Sequence, residues 1–112
     1  MTLHYFGHQN GGTCTARVGD LDALYQDILE DGIDNVKIFA IGKEEYSNDN
    51  INWTNGNSIP VMVDPIPHST WSSWDAEQRD SFFLDQNGNY VEDFNITNFD
   101  YNNIYNTIRD KM

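Results

Sequence analysis

The chain has 112 residues, 38% of them hydrophobic and 13% aromatic, which is enough for one core and too little for two domains. Six basic residues against eighteen acidic ones leave a formal net charge of −12, a surface that repels phosphate and argues against binding nucleic acid or anionic membranes. The single cysteine excludes an internal disulfide, and no apolar run approaches the roughly 20 residues that span a bilayer.

The start, Met1-Thr2-Leu3-His4-Tyr5-Phe6, lacks the basic leader and apolar stretch of a signal peptide. Thr2 to Phe6 is a β-prone run ended by Gly7. From Thr13 onward, Val18, Leu21, Leu24, Tyr25, Ile28 and Leu29 recur at helical spacing, with Gly32 as the stop. Val36 to Ile41 reads as a buried strand. Polar residues and glycine fill Gly42 to Ser58, with room for a short helix around Lys43 to Asn50. Ile59-Pro60-Val61-Met62-Val63 is the next apolar run, and Asp75 to Gln78 a helical turn. Ser81 to Asp85 and Asn89 to Phe94 flank Gln86-Asn87-Gly88, and Asn-Gly between two β-prone runs signals a hairpin. Tyr101, Ile104, Tyr105 and Ile108 mark one face of a closing helix, N-capped by Asp100.

A strand, a crossover helix and a second strand imply a right-handed parallel pair. The hairpin adds an antiparallel portion, so the pattern predicts one α/β domain over residues 1–112 with a mixed sheet of four to five strands and flanking helices. Periodicity alone goes no further.

Cys14 is the residue with chemistry to offer. Near a helix start, backbone N–H groups and the helix dipole favour a thiolate. Arg17 lies one turn on and adds to that field, Asp20 and Asp22 oppose it, and Thr13 and Thr15 supply hydroxyls. A cysteine inside the first turn is shielded. One that follows Thr13 as N-cap is a competent thiol. Gly11-Gly12 reads either as a tight, positive-φ approach to the helix or as the place of a replaced catalytic residue. His4, His8 and His68 match no metal-ligand spacing, and Asp85 to Asn89 is a turn, since its glycine falls too early for a calcium loop. The sequons at Asn52 and Asn95 arise easily by chance in an Asn-rich chain.

Three motifs stand in an order that resembles thioredoxin-like proteins: the loop into the first long helix, the Ile59-Pro60 step, and the closing "FFLDQNGNYV" hairpin. The helix "DLDALYQDILEDG" and the tryptophan-bearing insertion "DPIPHSTWSSWDAEQRDS" resemble more closely the selenoprotein P-like group and the secreted redoxin-domain proteins of marine bacteria. The resemblance implies a three-layer thioredoxin-like fold, thiol–disulfide or peroxide chemistry and an exported parent protein; no cofactor and no metal are expected. It sets Gly11-Gly12-Thr13-Cys14 on a degenerate C-x-x-C, with Gly11 at the missing nucleophile and Cys14 at the resolving position. It further implies a cis Ile59–Pro60 bond beside Cys14, with Ile59, Pro60, Trp71 and Trp74 meeting the substrate.

Trp71 and Trp74 read either as a satellite apolar cluster, with Arg79 stacked on an indole and paired with an acid, or as a lid over Cys14 where Trp53 also gathers. The expected partner is a thiol- or disulfide-bearing protein or a small thiol, and the chain itself a monomer or weak dimer. Two other readings stay open: a non-catalytic peptide- or protein-binding module, and an acidic inhibitor or nucleic-acid mimic. The latter has against it that the acids form no block of five or six.

Overall fold

A computed structural model describes residues 1–111. A five-stranded mixed sheet runs through it in the order β3-β2-β1-β4-β5. Strand β1 (Thr2–Phe6) leads into helix α1 (Gly12–Glu30) and returns as β2 (Lys37–Lys43), parallel to β1. A 3-10 turn (Glu44–Asp49) and the short helix α2 (Ile51–Thr54) precede β3 (Val61–Asp64), parallel to β2 at one edge. Helix α3 (Ser69–Ser73) follows, then β4 (Asp80–Leu84) antiparallel to β1, β5 (Tyr90–Asn95) and the closing helix α4 (Tyr101–Lys111).

Alternation along β1 sorts the two sheet faces. Leu3 and Tyr5 point into the main core with Cys14, Val18, Leu21, Leu24 and Ile28 of α1, and Ile104 and Ile108 of α4. Phe6 points the other way, to Ile41 and Trp71, with Trp74, Ala76 and Phe82 around them. Helix α1 has neither a side-chain N-cap nor an acid in its first turn nor a base in its last. Its stability therefore comes from its buried face, where removing the outer carbons of Leu24 would cost about 2–5 kcal/mol.

Local chemistry sets several boundaries. Gly32, at φ 83°, lets α1 end in a left-handed residue, with Ile33 N–H bonded to the Ile28 carbonyl. Asp85 Oδ1 accepts the N–H groups of Asn87 and Asn89, and Gly88 takes φ 82°, which closes the hairpin turn. Asp100 Oδ1 accepts the Asn103 N–H at 3.0 Å as the cap of α4.

The helical turn expected at Asp75 to Gln78 lies earlier, at Ser69–Ser73. The buried Asp64 carboxylate accepts the Trp71 N–H at 2.9 Å and anchors the helix there, and Asp75 at φ 50° ends it. Helix α2 falls within the polar stretch where only an earlier helix, around Lys43 to Asn50, was expected. It forms because Trp53 is drawn into the main core beside Tyr5.

Candidate functional site

The site is the end of the sheet where β1 and β2 finish and α1 begins. Gly7 N–H bonds the Ile41 carbonyl, and Gln9 then turns inward. Its amide is fully used: Nε2 donates to the Lys43 carbonyl and to Asn50 Oδ1, and Oε1 accepts the Lys43 N–H at 3.0 Å. Asn52 Nδ2 holds the Gln9 carbonyl as well. The loop before α1 is thus bolted to the end of β2. Gly42 makes this approach possible, because a Cβ there would stand 2.1 Å from the Gln9 side chain.

Gly11 is the N-cap of α1 at φ −92°, ψ 131°, an ordinary extended conformation. The expectation that Gly11-Gly12 supplies a positive φ is therefore corrected, since the positive-φ glycines are Gly32, Gly56 and Gly88. A Cβ built on Gly11 would lie 3.5 Å from Cys14 Sγ and 3.7 Å from Cys14 Cβ. Cys14 sits in the first turn, fully buried. Tyr5 Oη donates to the Cys14 carbonyl at 3.0 Å, and burial followed by the neighbouring Cys14 raises the Tyr5 pKa well above its ordinary value.

The sulfur faces the lead-in to β4. It donates to Gln78 Oε1 at 3.6 Å and accepts from Arg79 Nη1 at 3.5 Å. Arg79, at φ 70°, is tied on all sides: its N–H to the Phe6 carbonyl, its carbonyl to Ile96 N–H, its Nε to Thr97 Oγ1. The acid pairing and indole stacking expected of Arg79 are not what it does.

Other sequence-predicted residues stand elsewhere. Thr13 is exposed and caps nothing. Arg17 does not reach the sulfur: its guanidinium binds the carbonyls of Ile96 and Thr97 and pairs with Asp20 at 3.0 Å. Asp22 Oδ1 accepts both the N–H and the hydroxyl of Ser58, pinning the loop before β3 to α1. Ile59 is buried in the main core and Pro60 is exposed at the start of the edge strand.

The Ile59–Pro60 step is thus corrected on two counts. The cis bond among the described residues is Ile66–Pro67. Pro60 instead offers its carbonyl to Ala40 N–H, two strands away from β1. The reason is topological. A parallel strand such as β3 runs toward the end where β1 and β2 finish, whereas antiparallel β4 starts there, so Gln78-Arg79 occupies the position facing Cys14.

Trp71 and Trp74 pack on the sheet face away from α1. Trp71 meets Phe6 edge-on at 5.3 Å, and Trp74 meets His4, Phe6 and Phe82. Trp53 is on the opposite face and does not join them. Trp71 also reaches the rim, where His8 lies 5.4 Å from its ring and Lys43 Nζ stands 4.6 Å over it. Here a pocket of about 640 Å³ opens, lined by His8, Lys43, Trp71, Gln78 and Arg79 among others. Gln9, Lys43 and Gln78 belong to the site although no motif in the sequence marks them. Among the described residues no three His, Cys, Asp or Glu side chains stand close enough to share a metal ion.

This architecture is the thioredoxin-like fold. An uncharacterized thioredoxin-like protein from Porphyromonas gingivalis superposes with a TM-score of 0.77 at 16% identity, over 97% of this chain and 73% of that one. A secreted Mycobacterium tuberculosis disulfide oxidoreductase homologous to E. coli DsbE gives a TM-score of 0.69 at 10% identity, over 97% and 80%. Peroxiredoxin Q of Xanthomonas campestris gives 0.69 at 16%, over 98% and 76%. No family model matches the sequence, and no curated protein matches it. Among the described residues no helix is long and apolar enough to cross a membrane.

Proposed function

We propose that the chain is a thioredoxin-fold domain of the thiol–disulfide and peroxide redox kind that has lost its dithiol cycle. The observation that carries this reading is the position of Gly11. Disulfide-linked cysteines keep their Cβ atoms about 3.5–4.5 Å apart, and a Cβ on Gly11 would be 3.7 Å from that of Cys14. The spacing of a Cys-x-x-Cys is therefore kept, with the first sulfur absent. Cys14 is the inner, shielded member, and a buried thiol with no partner cannot attack and then release a substrate disulfide.

The similarity to a secreted disulfide oxidoreductase and to a peroxiredoxin supports the redox kind. The finer likeness to selenoprotein P-like and secreted marine redoxin-domain proteins, in which the first position holds Cys or Sec, agrees with it. On this reading the parent protein is exported. The site serves as a recognition surface for a protein bearing a thiol or disulfide, with the chain a monomer or weak dimer.

The test is Gly11→Cys. The wild type is expected to keep its one titratable thiol under oxidised glutathione and to leave insulin disulfides intact. The variant is expected to lose both thiols to an intramolecular disulfide and to gain insulin reduction. A folded variant that retains both thiols would refute the frame.

A further inference from the structure

We propose that the pocket at the end of β1 and β2 binds a small oxyanion, a carboxylate- or phosphate-bearing molecule held between Lys43 and Arg79. It does not depend on the dithiol reading above, although Arg79 also touches the Cys14 sulfur. The chain carries six Lys and Arg against eighteen acids, so two cations that line one concavity are out of keeping with the rest of its surface. The ion pairs among the described residues are Arg17–Asp20 and Arg109–Asp110. Lys43 and Arg79 are in neither, yet both line this pocket with His8, and Glu77 is the one carboxylate in the lining.

The geometry presents the charges in a fixed way. Lys43 Nζ rests over the Trp71 ring, and among the described residues its ammonium is in no ion pair. Arg79 is held by its main chain and by Nε on Thr97, and its Nη2 has no protein partner among the described residues. A planar guanidinium with a terminal nitrogen to spare suits an oxyanion. His8 senses the same field: burial, then Lys43, lowers its pKa, with Arg79 and His68 adding to the effect and Glu45 opposing it. Gln78, Asn95 and Thr97 supply neutral polar groups around the cations. On a surface of net charge −12, a concavity that brings two cations together beside a neutral imidazole is where an anion would be concentrated.

The experiment titrates the protein at low ionic strength with succinate, inorganic phosphate and neutral succinamide. It reads tryptophan fluorescence and the amide NMR shifts of residues 43, 71 and 79. Succinate or phosphate is expected to shift these signals saturably, and succinamide not to. The stronger of the two anions tells a carboxylate from a phosphate ligand. Lys43→Gln should weaken binding about tenfold, the loss of one charge-assisted contact. Lys37→Gln, on an exposed residue at the far end of β2, should leave it unchanged. Glu77→Gln, at an exposed rim position, should tighten it by removing a like charge. Absence of any saturable shift with both anions, or equal effects of Lys43→Gln and Lys37→Gln, would overturn the proposal. So would weaker binding in Glu77→Gln.

Discussion

Arg79 Nη1 lies 3.5 Å from the sulfur of Cys14, a residue 65 positions earlier in the chain. The contact exists because β4 runs antiparallel to β1 and so begins at the end where α1 does. Holding the guanidinium there requires Arg79 to sit at φ 70°, a region that L side chains occupy at a cost of about 1–2 kcal/mol. Comparing Arg79→Ala with Arg79→Gly separates the backbone from the side chain. Both lose the bonds to Thr97 and Cys14, but only Gly relieves the backbone. Urea unfolding should find Arg79→Gly more stable than Arg79→Ala by about 1 kcal/mol. Equal stabilities would refute the strain.

The same pair of variants reports on access to Cys14. The thiol is fully buried beneath Gln78 and Arg79. Iodoacetamide should therefore modify the native wild type far more slowly than the urea-unfolded chain, and truncation of Arg79 should speed the native reaction. A native thiol that reacts as fast as the unfolded one would contradict the observed burial.

Gly42 and Gln9 form a second dependent pair. A methyl group at Gly42 would stand 2.1 Å from the Gln9 side chain, which is itself locked by hydrogen bonds to Lys43 and Asn50. Gly42→Ala should destabilise the fold by about 1–3 kcal/mol, the usual range for overpacking. In Gln9→Ala the clash is gone, so adding Gly42→Ala there should cost much less. Additive effects in this double-mutant cycle would show that the two residues do not meet.

Alkali should loosen α4. Tyr101 Oη donates to Asp27 Oδ2 at 2.8 Å, and Tyr105 donates in the same way to Asp31 one turn along α1. The hydrogen bond to Asp27 is the main reason the Tyr101 pKa is pushed up to about 12. A tyrosine whose pKa is raised on folding contributes stability that is intact below the unfolded value near 10 and is lost as pH climbs through the folded one. Stability against thermal unfolding should therefore fall between about pH 10 and 12, and Tyr101→Phe should flatten that slope. An unchanged slope in the variant would count against the tie.

Mild acid acts through His4, whose ring packs between Phe39 and Trp74. Burial lowers its pKa, so as pH falls below about 6.5 the unfolded chain takes up the proton first and stability declines. His8, lowered mainly by burial, adds to the same decline. His4→Phe should reduce the loss of stability between neutral pH and the onset of carboxylate protonation, and the residual slope should belong to His8. A variant with the wild-type acid profile would show that His4 is not desolvated.

Elements governed by near neighbours were legible in the sequence. Val18 to Ile28 carry the period of α1, Asn87-Gly88 the hairpin and Asp100 the cap of α4, and each is decided within a few residues. The place of Cys14 at the head of α1 was also legible. What faces it was not, because that depends on which strand starts at the site end. Ile59-Pro60 is the proline-bearing apolar run, but it feeds a parallel strand. Gln78-Arg79, within an apparently polar insertion, feeds the antiparallel one. Gln9 carried no local signal, since its partners Lys43 and Asn50 are more than 30 positions away. The two tryptophans of the insertion are plain in the sequence, but their choice of sheet face follows from the outward side of Phe6, which only the register reveals.

With one thiol in the whole chain, and that one sealed inside the packed interior, no disulfide in this fold is fastened or released by electrons. The molecule should melt at the same temperature with or without reductant. It would pass between reducing and oxidising compartments without changing shape, a constancy that a domain with an intact Cys-x-x-Cys does not have.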